Sequence, residues 1–371
     1  MKKNIRIRCK RSIGIWAKKF FPISVVVSFL VITSAGCSLS QSKLSSLDTE
    51  IPVQNLFWPP PPQVPKVQHI KIIRSPGDIG IKQSWIEKAL SILFGKEVDG
   101  KIILRPYGIY AESGRIYVTD PGMHILHVFD EKKKQYFMIN TAKDTDLVSP
   151  IGVTVDMHGE IYLSDSILKR VFVFDKKGSC IREIGSPDSF TRPTGIALLG
   201  DRIYIVDTHS HRVLIYNKNN GDFLFSFGKN GTSHGDFNYP THIFIGQDDL
   251  LYITDSMNFR VQVFDREGTF VSSFGKHGDG SGDFSKPKGI AVDSEGHIYV
   301  VDADFDVVQI FDRDGKLLLA FGSSGTEKGK LFLPAGVFID EKDRIYVADS
   351  YNNRIQIFQY IKETTSVQNK N

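Results

Sequence analysis

Cysteine is nearly absent from this chain: Cys9, Cys37 and Cys180 are the only three in 371 residues. No two stand at a metal-ligand spacing, and three cannot build a disulfide framework. Stability must therefore come from a hydrophobic core, and 41% hydrophobic residues can supply a large one. Long apolar runs are also missing. The longest, from about Phe20 to Ile32, falls short of the roughly 20 residues of a comfortable membrane span. Acidic residues are absent from the first 36 positions, which carry eight Lys/Arg. The formal charge of +4 comes from that leader, because the remaining 38 basic residues face 42 acidic ones, a balance of −4. The chain beyond the leader thus lacks the basic excess of a nucleic-acid-binding protein. Cys180 follows a turn glycine and begins a strand pattern, so it reads as a small buried hydrophobe.

What is present is a repeat. From Pro287 to Gly322 four short apolar runs alternate with polar turns: GIAVD, HIYVVD, VVQIFD and LLLAFG. β-Branched and aromatic runs of this length, split by Gly/Asp turns, read as a four-stranded antiparallel meander. Its second run is apolar at consecutive positions, so both faces require burial and the sheet needs neighbours of its own kind. The opening proline recurs at Pro106, Pro150, Pro193, Pro240, Pro287 and Pro334, at intervals of 44, 43, 47, 47 and 47. An IY/LY-x-x-D core recurs with it, ending at Asp120, Asp165, Asp207, Asp255, Asp302 and Asp349. Six copies at this period predict an all-β, six-bladed propeller of four-stranded antiparallel blades. A large apolar residue stands three before each proline (Ile103, Leu147, Phe190, Phe237, Phe284, Leu331) and is expected to wedge between blades. Glycine stands two after it in five units, and His242 takes that place in the fourth.

The last unit ends at Tyr360 without a fourth strand. Residues 67–74 supply one, so the ring is expected to close by pairing them with 354–360, which also removes an open edge. Residues 1–36 read as an export signal, with a basic start, an apolar run and the small residues Ser34-Ala35-Gly36 before Cys37. This resembles a bacterial lipobox, in which Cys37 is the lipidated residue. Ser38 at the next position favours the outer membrane over the inner. Residues 37–65 form a Ser/Pro-rich tether whose Pro59–Pro62 run is expected to be an extended spacer. Residues 66–105 hold the closing strand and a helical insertion at 82–94, residues 106–360 the six units, and 361–371 a polar tail.

The motifs Pro-x-Gly-Ile/Val, Gly-x-Ile-Tyr-Val-x-Asp, Asn-x-Arg-Val-x-Val-Phe-Asp and Phe-Gly resemble those of the NHL-repeat family. Asp255 to Phe264 and Asp349 to Phe358 match closely, and the resemblance covers residues 106–360. It implies a six-bladed propeller and leaves the chemistry open, since propellers host scaffolds and enzymes alike. Asp followed five residues later by Arg recurs as Asp165/Arg170, Asp207/Arg212, Asp255/Arg260 and Asp349/Arg354. Groups repeated in most blades read as structural, the Asp accepting loop N–H bonds and the Arg acting as its ion-pair partner. Function is then expected where the repeat varies, on the face bearing the loops between the second and third strands. There Met123, His124, Leu168, His209, His211, Phe259, Asp304, Phe305 and Tyr351 form a candidate binding rim.

The favoured reading is a monomeric, lipid-anchored scaffold of the bacterial cell envelope that binds a protein, or another ligand, through its variable loop face, and no catalytic residue or cofactor is expected. One alternative is a metal-dependent lyase or hydrolase in the central channel, using zinc or calcium held among His209, His211, His234 and His242. Some NHL relatives are zinc lyases with pore-facing His residues. The second alternative is RNA binding, known for some NHL domains, and export and the −4 balance weigh against it.

Overall fold

The computed structural model describes residues 55–81, 103–186 and 188–362. The leader, Cys37, the start of the tether, the expected helix at 82–94 and the end of the tail lie outside the described residues. The rest is a ring of six antiparallel blades, five of four strands in sequence order and the last of five strands completed from the N-terminal side, with a small hairpin at Thr141–Ala142 and Thr145–Asp146. Blade 5 shows the unit: Pro287–Val292, Ile298–Asp302, Val307–Phe311 and Leu317–Phe321 pair in sequence order. The runs that read as strands in the sequence are these strands, and each opening proline stands at or just before the innermost one.

The core explains why the second strand of each blade is apolar on both faces. Buried side chains fall into six clusters, one between each pair of adjacent blades. Ile298 and Val300 pack towards blade 4, whereas Tyr299 and Val301 pack towards blade 6. Alternation on a strand thus serves two interfaces at once. The six wedge residues Ile103, Leu147, Phe190, Phe237, Phe284 and Leu331 are all buried.

The ring closes through the N-terminal strand. Val67–Ile73 pairs antiparallel with Arg354–Tyr360, from Val67 opposite Tyr360 to Ile73 opposite Ile355. One element departs from expectation. The proline run is not an extended spacer. It reverses the chain, and Phe57–Trp58 adds a fifth strand outside Val67–Ile73. Trp58 is the reason: its ring packs 5.7 Å from Phe358 and 6.0 Å from Phe321, capping the last interblade core. The gain from burying an indole outweighs extension of the prolines.

At the centre, the inner strands approach backbone to backbone. A Cβ added at Gly108 would lie 2.2 Å from the Ile151 carbonyl oxygen, and one at Gly336 would lie 2.2 Å from that of Tyr107. A second inter-blade link comes from hydroxyls beside the strand-ending aspartates. Thr208 donates to the Pro240 carbonyl, Ser256 to that of Pro287, and Ser350 to that of Pro106, the last joining blade 6 to blade 1. Gly336→Ala is expected to cost about 1–3 kcal/mol, because backbone must move to admit the methyl. Gly77→Ala, which meets only the Ser75 hydroxyl at 3.4 Å, should stay within about 0.5 kcal/mol. Denaturant unfolding of the two variants measures this, and equal losses would mean that inner-ring contact does not set the cost.

Candidate functional site

The loop face is built on six buried carboxylates. Asp120, Asp165, Asp207, Asp255, Asp302 and Asp349 end the second strands and are at most 1% exposed. Each accepts backbone N–H bonds from the segment leading into its own blade's inner strand. Asp120 takes Leu104 and Arg105, Asp165 takes Val148 and Ser149, and Asp302 takes Ser285 and Lys286 at 2.7 and 3.0 Å. Asp207, Asp255 and Asp349 bond Thr191, Asn238 and Phe332 in the same way. Burial pushes the Asp302 carboxyl above its ordinary range despite those bonds. Burial acts on Asp120 as well, but His127 and the N–H donors hold it below the usual range.

The arginines do not all do what their spacing suggests. Every Asp faces its Arg across the strand pair, yet only two pairs bond: Arg260 to Asp255 at 2.8 Å and Arg354 to Asp349 at 2.6 Å. Arg170 instead pairs with Glu183 at 2.7 Å, and Arg212 is exposed with no ion pair among the described residues. The difference lies in the preceding interval. Where 47 residues separate the prolines, the extra length forms a loop between blades, and the next blade's Arg grips it. Arg260 donates to the Thr232, Ser233 and Asp236 carbonyls, and Arg354 to those of Thr326, Glu327 and Lys330. Before blades 2 and 3 the intervals are 44 and 43, and Arg170 and Arg212 make no such bonds.

The same four-residue loops decide what reaches solvent. In five blades the second loop residue points outward: Ile167, His209, Met257, Asp304 and Tyr351 are exposed. The last loop residue takes a left-handed backbone in every blade, as at His124, His211 and Phe259. Four of the expected rim residues, Leu168, His211, Phe259 and Phe305, are half-buried rather than exposed. Leu168 and Phe259 fold back against interblade cores. Ile167 and Met257, 64% and 53% exposed, replace them on the rim. Met123 and His124 are exposed, although the His124 ring bonds the Val148 carbonyl. Tyr239 and Phe332, just before the inner strands, are exposed as well. Tyr351 sits edge-on to Phe332 at 5.7 Å, with the Arg105 guanidinium 5.2 Å from its ring centroid.

The four metal-candidate histidines are not brought together. His209 meets Arg192 at 3.2 Å, and the His211 ring nitrogen accepts the Tyr239 N–H. His234 stacks on Phe270 at 4.5 Å, and His242 stacks on Tyr107 at 5.4 Å. No group of three His, Cys, Asp or Glu residues among the described residues could hold a metal. Cys180 is half-buried rather than fully so, because it lies on an outermost strand. His242 also lines a channel cavity of about 240 Å³, together with Gly152, Val153, Ala197 and Phe244 among others.

A family model described as NHL repeat matches residues 190–216 and 333–358, and one described as a 6-bladed beta-propeller matches 246–320. The chain is a six-bladed propeller that contains NHL repeats. Solved structures agree on the fold. Virginiamycin B lyase from Staphylococcus aureus is 15% identical, with a TM-score of 0.53, covering 69% of this chain and 95% of that one. Auxiliary nutrient binding proteins from Bacteroides thetaiotaomicron and Bacteroides ovatus are 13% and 14% identical, each with a TM-score of 0.56 and 71% of both chains covered. At such identities they share the propeller and nothing finer.

Within this propeller the two classes of arginine give a direct test. Arg354→Ala leaves Asp349 buried without its charge partner and should cost about 3–5 kcal/mol. Arg212→Ala should change stability by less than about 0.5 kcal/mol. Similar unfolding midpoints for both would refute the loop-grip assignment. His242 gives a second test. Burial, then the nearby Lys288 ammonium, hold its imidazole down to about 3 against an ordinary 6.5. The unfolded chain then takes up a proton that the folded one refuses, so stability falls as pH drops from 6.5 towards 3. Between pH 6.5 and 5, His242→Gln should lose stability less steeply than the parent, as read from denaturant midpoints across that range.

Proposed function

We propose that this protein is a non-catalytic scaffold held in a bacterial cell envelope by a lipid on Cys37, binding a protein partner through its loop rim. The observation that carries this reading is the rim itself. Regular loops turn Ile167, Met257 and Tyr351 outward, and Tyr239 and Phe332 stand exposed beside them. Each strand-ending Asp on that face is meanwhile buried and satisfied. An aromatic cluster with a stacked arginine, such as Tyr351, Phe332 and Arg105, is the composition of an interface anchor. The fold shared with proteins described as nutrient binding supports a binding role. The lipobox-like run before Cys37 supports the anchor, and Ser38 favours the outer membrane.

The double variant Met257→Ala/Tyr351→Ala should keep the parental melting temperature. In-cell crosslinking should then show at least tenfold less of the partner species that the parent captures. Undiminished capture would refute the rim. Cys37→Ala should move the protein out of the membrane fraction and remove the lipid mass. Retention in that fraction with unchanged mass would refute the anchor.

A further inference from the structure

The basic mouth of the central channel differs from the rest of the ring at one place. Five blades put glycine at the second position after the proline, and blade 4 puts His242 there. The side chain reaches into the mouth and stacks on Tyr107 of blade 1, with the rings 5.4 Å apart and 14° from parallel. Lys288 of blade 5 places its ammonium 5.9 Å from the centroid of the same Tyr107 ring. Three blades therefore converge on one spot.

A chain of hydroxyls assigns the tautomer of His242. Ser256 donates its only hydroxyl proton to the Pro287 carbonyl at 2.8 Å. In the 2.8 Å bond between Thr241 and Ser256 the proton must then come from Thr241. Thr241 accordingly has none left for His242, so the imidazole Nδ1 donates to Thr241 across 3.1 Å. Burial keeps the ring neutral. Its Nε2 is thus a bare acceptor, buried and without a hydrogen bond to protein. The neighbouring Lys288 is the opposite case. Its side chain is half-buried, burial and the Lys286 charge lower its pKa against the pull of Asp304, and no carboxylate among the described residues lies within ion-pair distance of it. The nearby Asp304 is engaged by Lys286 at 3.5 Å. An unsatisfied buried acceptor and a half-buried cation held only against the Tyr107 ring each cost stability, and here they lie within reach of each other's charge.

We propose that this mouth, at Tyr107, His242 and Lys288, binds an oxyanion that carries its own hydroxyl proton, such as an acid phosphate or a hydroxycarboxylate. The anionic oxygen pairs with Lys288, and the ligand O–H donates to His242 Nε2. Neither group alone selects this chemistry. A plain anion would meet the lone pair of Nε2, and a neutral alcohol would leave the ammonium unpaired. A site that holds a buried acceptor rejects ligands lacking the matching donor. The site lies at the centre of the loop face but does not depend on the rim reading, and it stands if that reading fails.

The test uses the full chain at pH 7 and constant ionic strength. Calorimetric titration compares phosphate with sulfate, which matches it in shape but carries no proton, and lactate with acetate. Saturable binding of phosphate or lactate, at least tenfold tighter than its proton-free counterpart, is expected, and the arm that responds identifies the source of the oxyanion. Lys288→Met should weaken that binding at least tenfold. His242→Phe, which keeps the stack on Tyr107, should abolish the preference over the proton-free counterpart. Lys177→Met, on an exposed turn of blade 2, should leave binding unchanged. Equal affinity within both pairs of ligands, no saturable binding of any of the four, or parental affinity in Lys288→Met would overturn the proposal.

Discussion

Six carboxylates without water set the geometry of this molecule. A buried aspartate must be satisfied by donors, and the donors nearest the end of each second strand are the backbone N–H groups just ahead of the inner strand. Asp120, Asp165, Asp207, Asp255, Asp302 and Asp349 each take one or two of them. The chain therefore enters the channel wall at the same place in every blade. From that fixed point the inner strands can pack at backbone distance, as Gly108 and Gly336 do. The apolar second strands then fall between neighbours and fill the six interblade cores.

Variation follows from length. Where the interval between prolines is 47, the added loop exposes carbonyls that need donors, and Arg260 and Arg354 provide them. In blade 5 the matching position is Val307, and Gln309 holds the loop instead through the Asp283 carbonyl. The Asp–Arg repeat thus joins two devices. The Asp holds its own blade, and the Arg, where it bonds, holds the loop that arrives from the blade before.

The channel mouth breaks the pattern in another way. In blades 1 and 2, Thr119 and Ser164 accept the glycine N–H of their own blade and donate to the next blade's carbonyl. In blade 4 the corresponding Thr254 hydroxyl finds no partner, and His242 stands in the glycine position. Of the four buried side-chain polar atoms without a hydrogen bond among the described residues, two fall in this one blade, a local sacrifice of stability.

The fold was legible because a strand repeat buried on both faces has few solutions. The six prolines, the six wedge residues and the missing last strand read directly as a ring closed by Val67–Ile73. The unequal proline intervals also carried the signal for which arginines are gripped, once the loop is seen to need donors. Other features depend on neighbours distant in sequence. Trp58 folds back because its pocket is made by Phe321 and Phe358. Ile167 rather than Leu168 faces solvent because Leu168 packs against the core between blades 1 and 2. The sequence by itself determined the number of blades, their strand order and the manner of closure, since local periodicity and turn residues encode these. Only the tertiary structure decided that Tyr107, His242 and Lys288 meet, because ring closure brings together residues from three blades that no local pattern links.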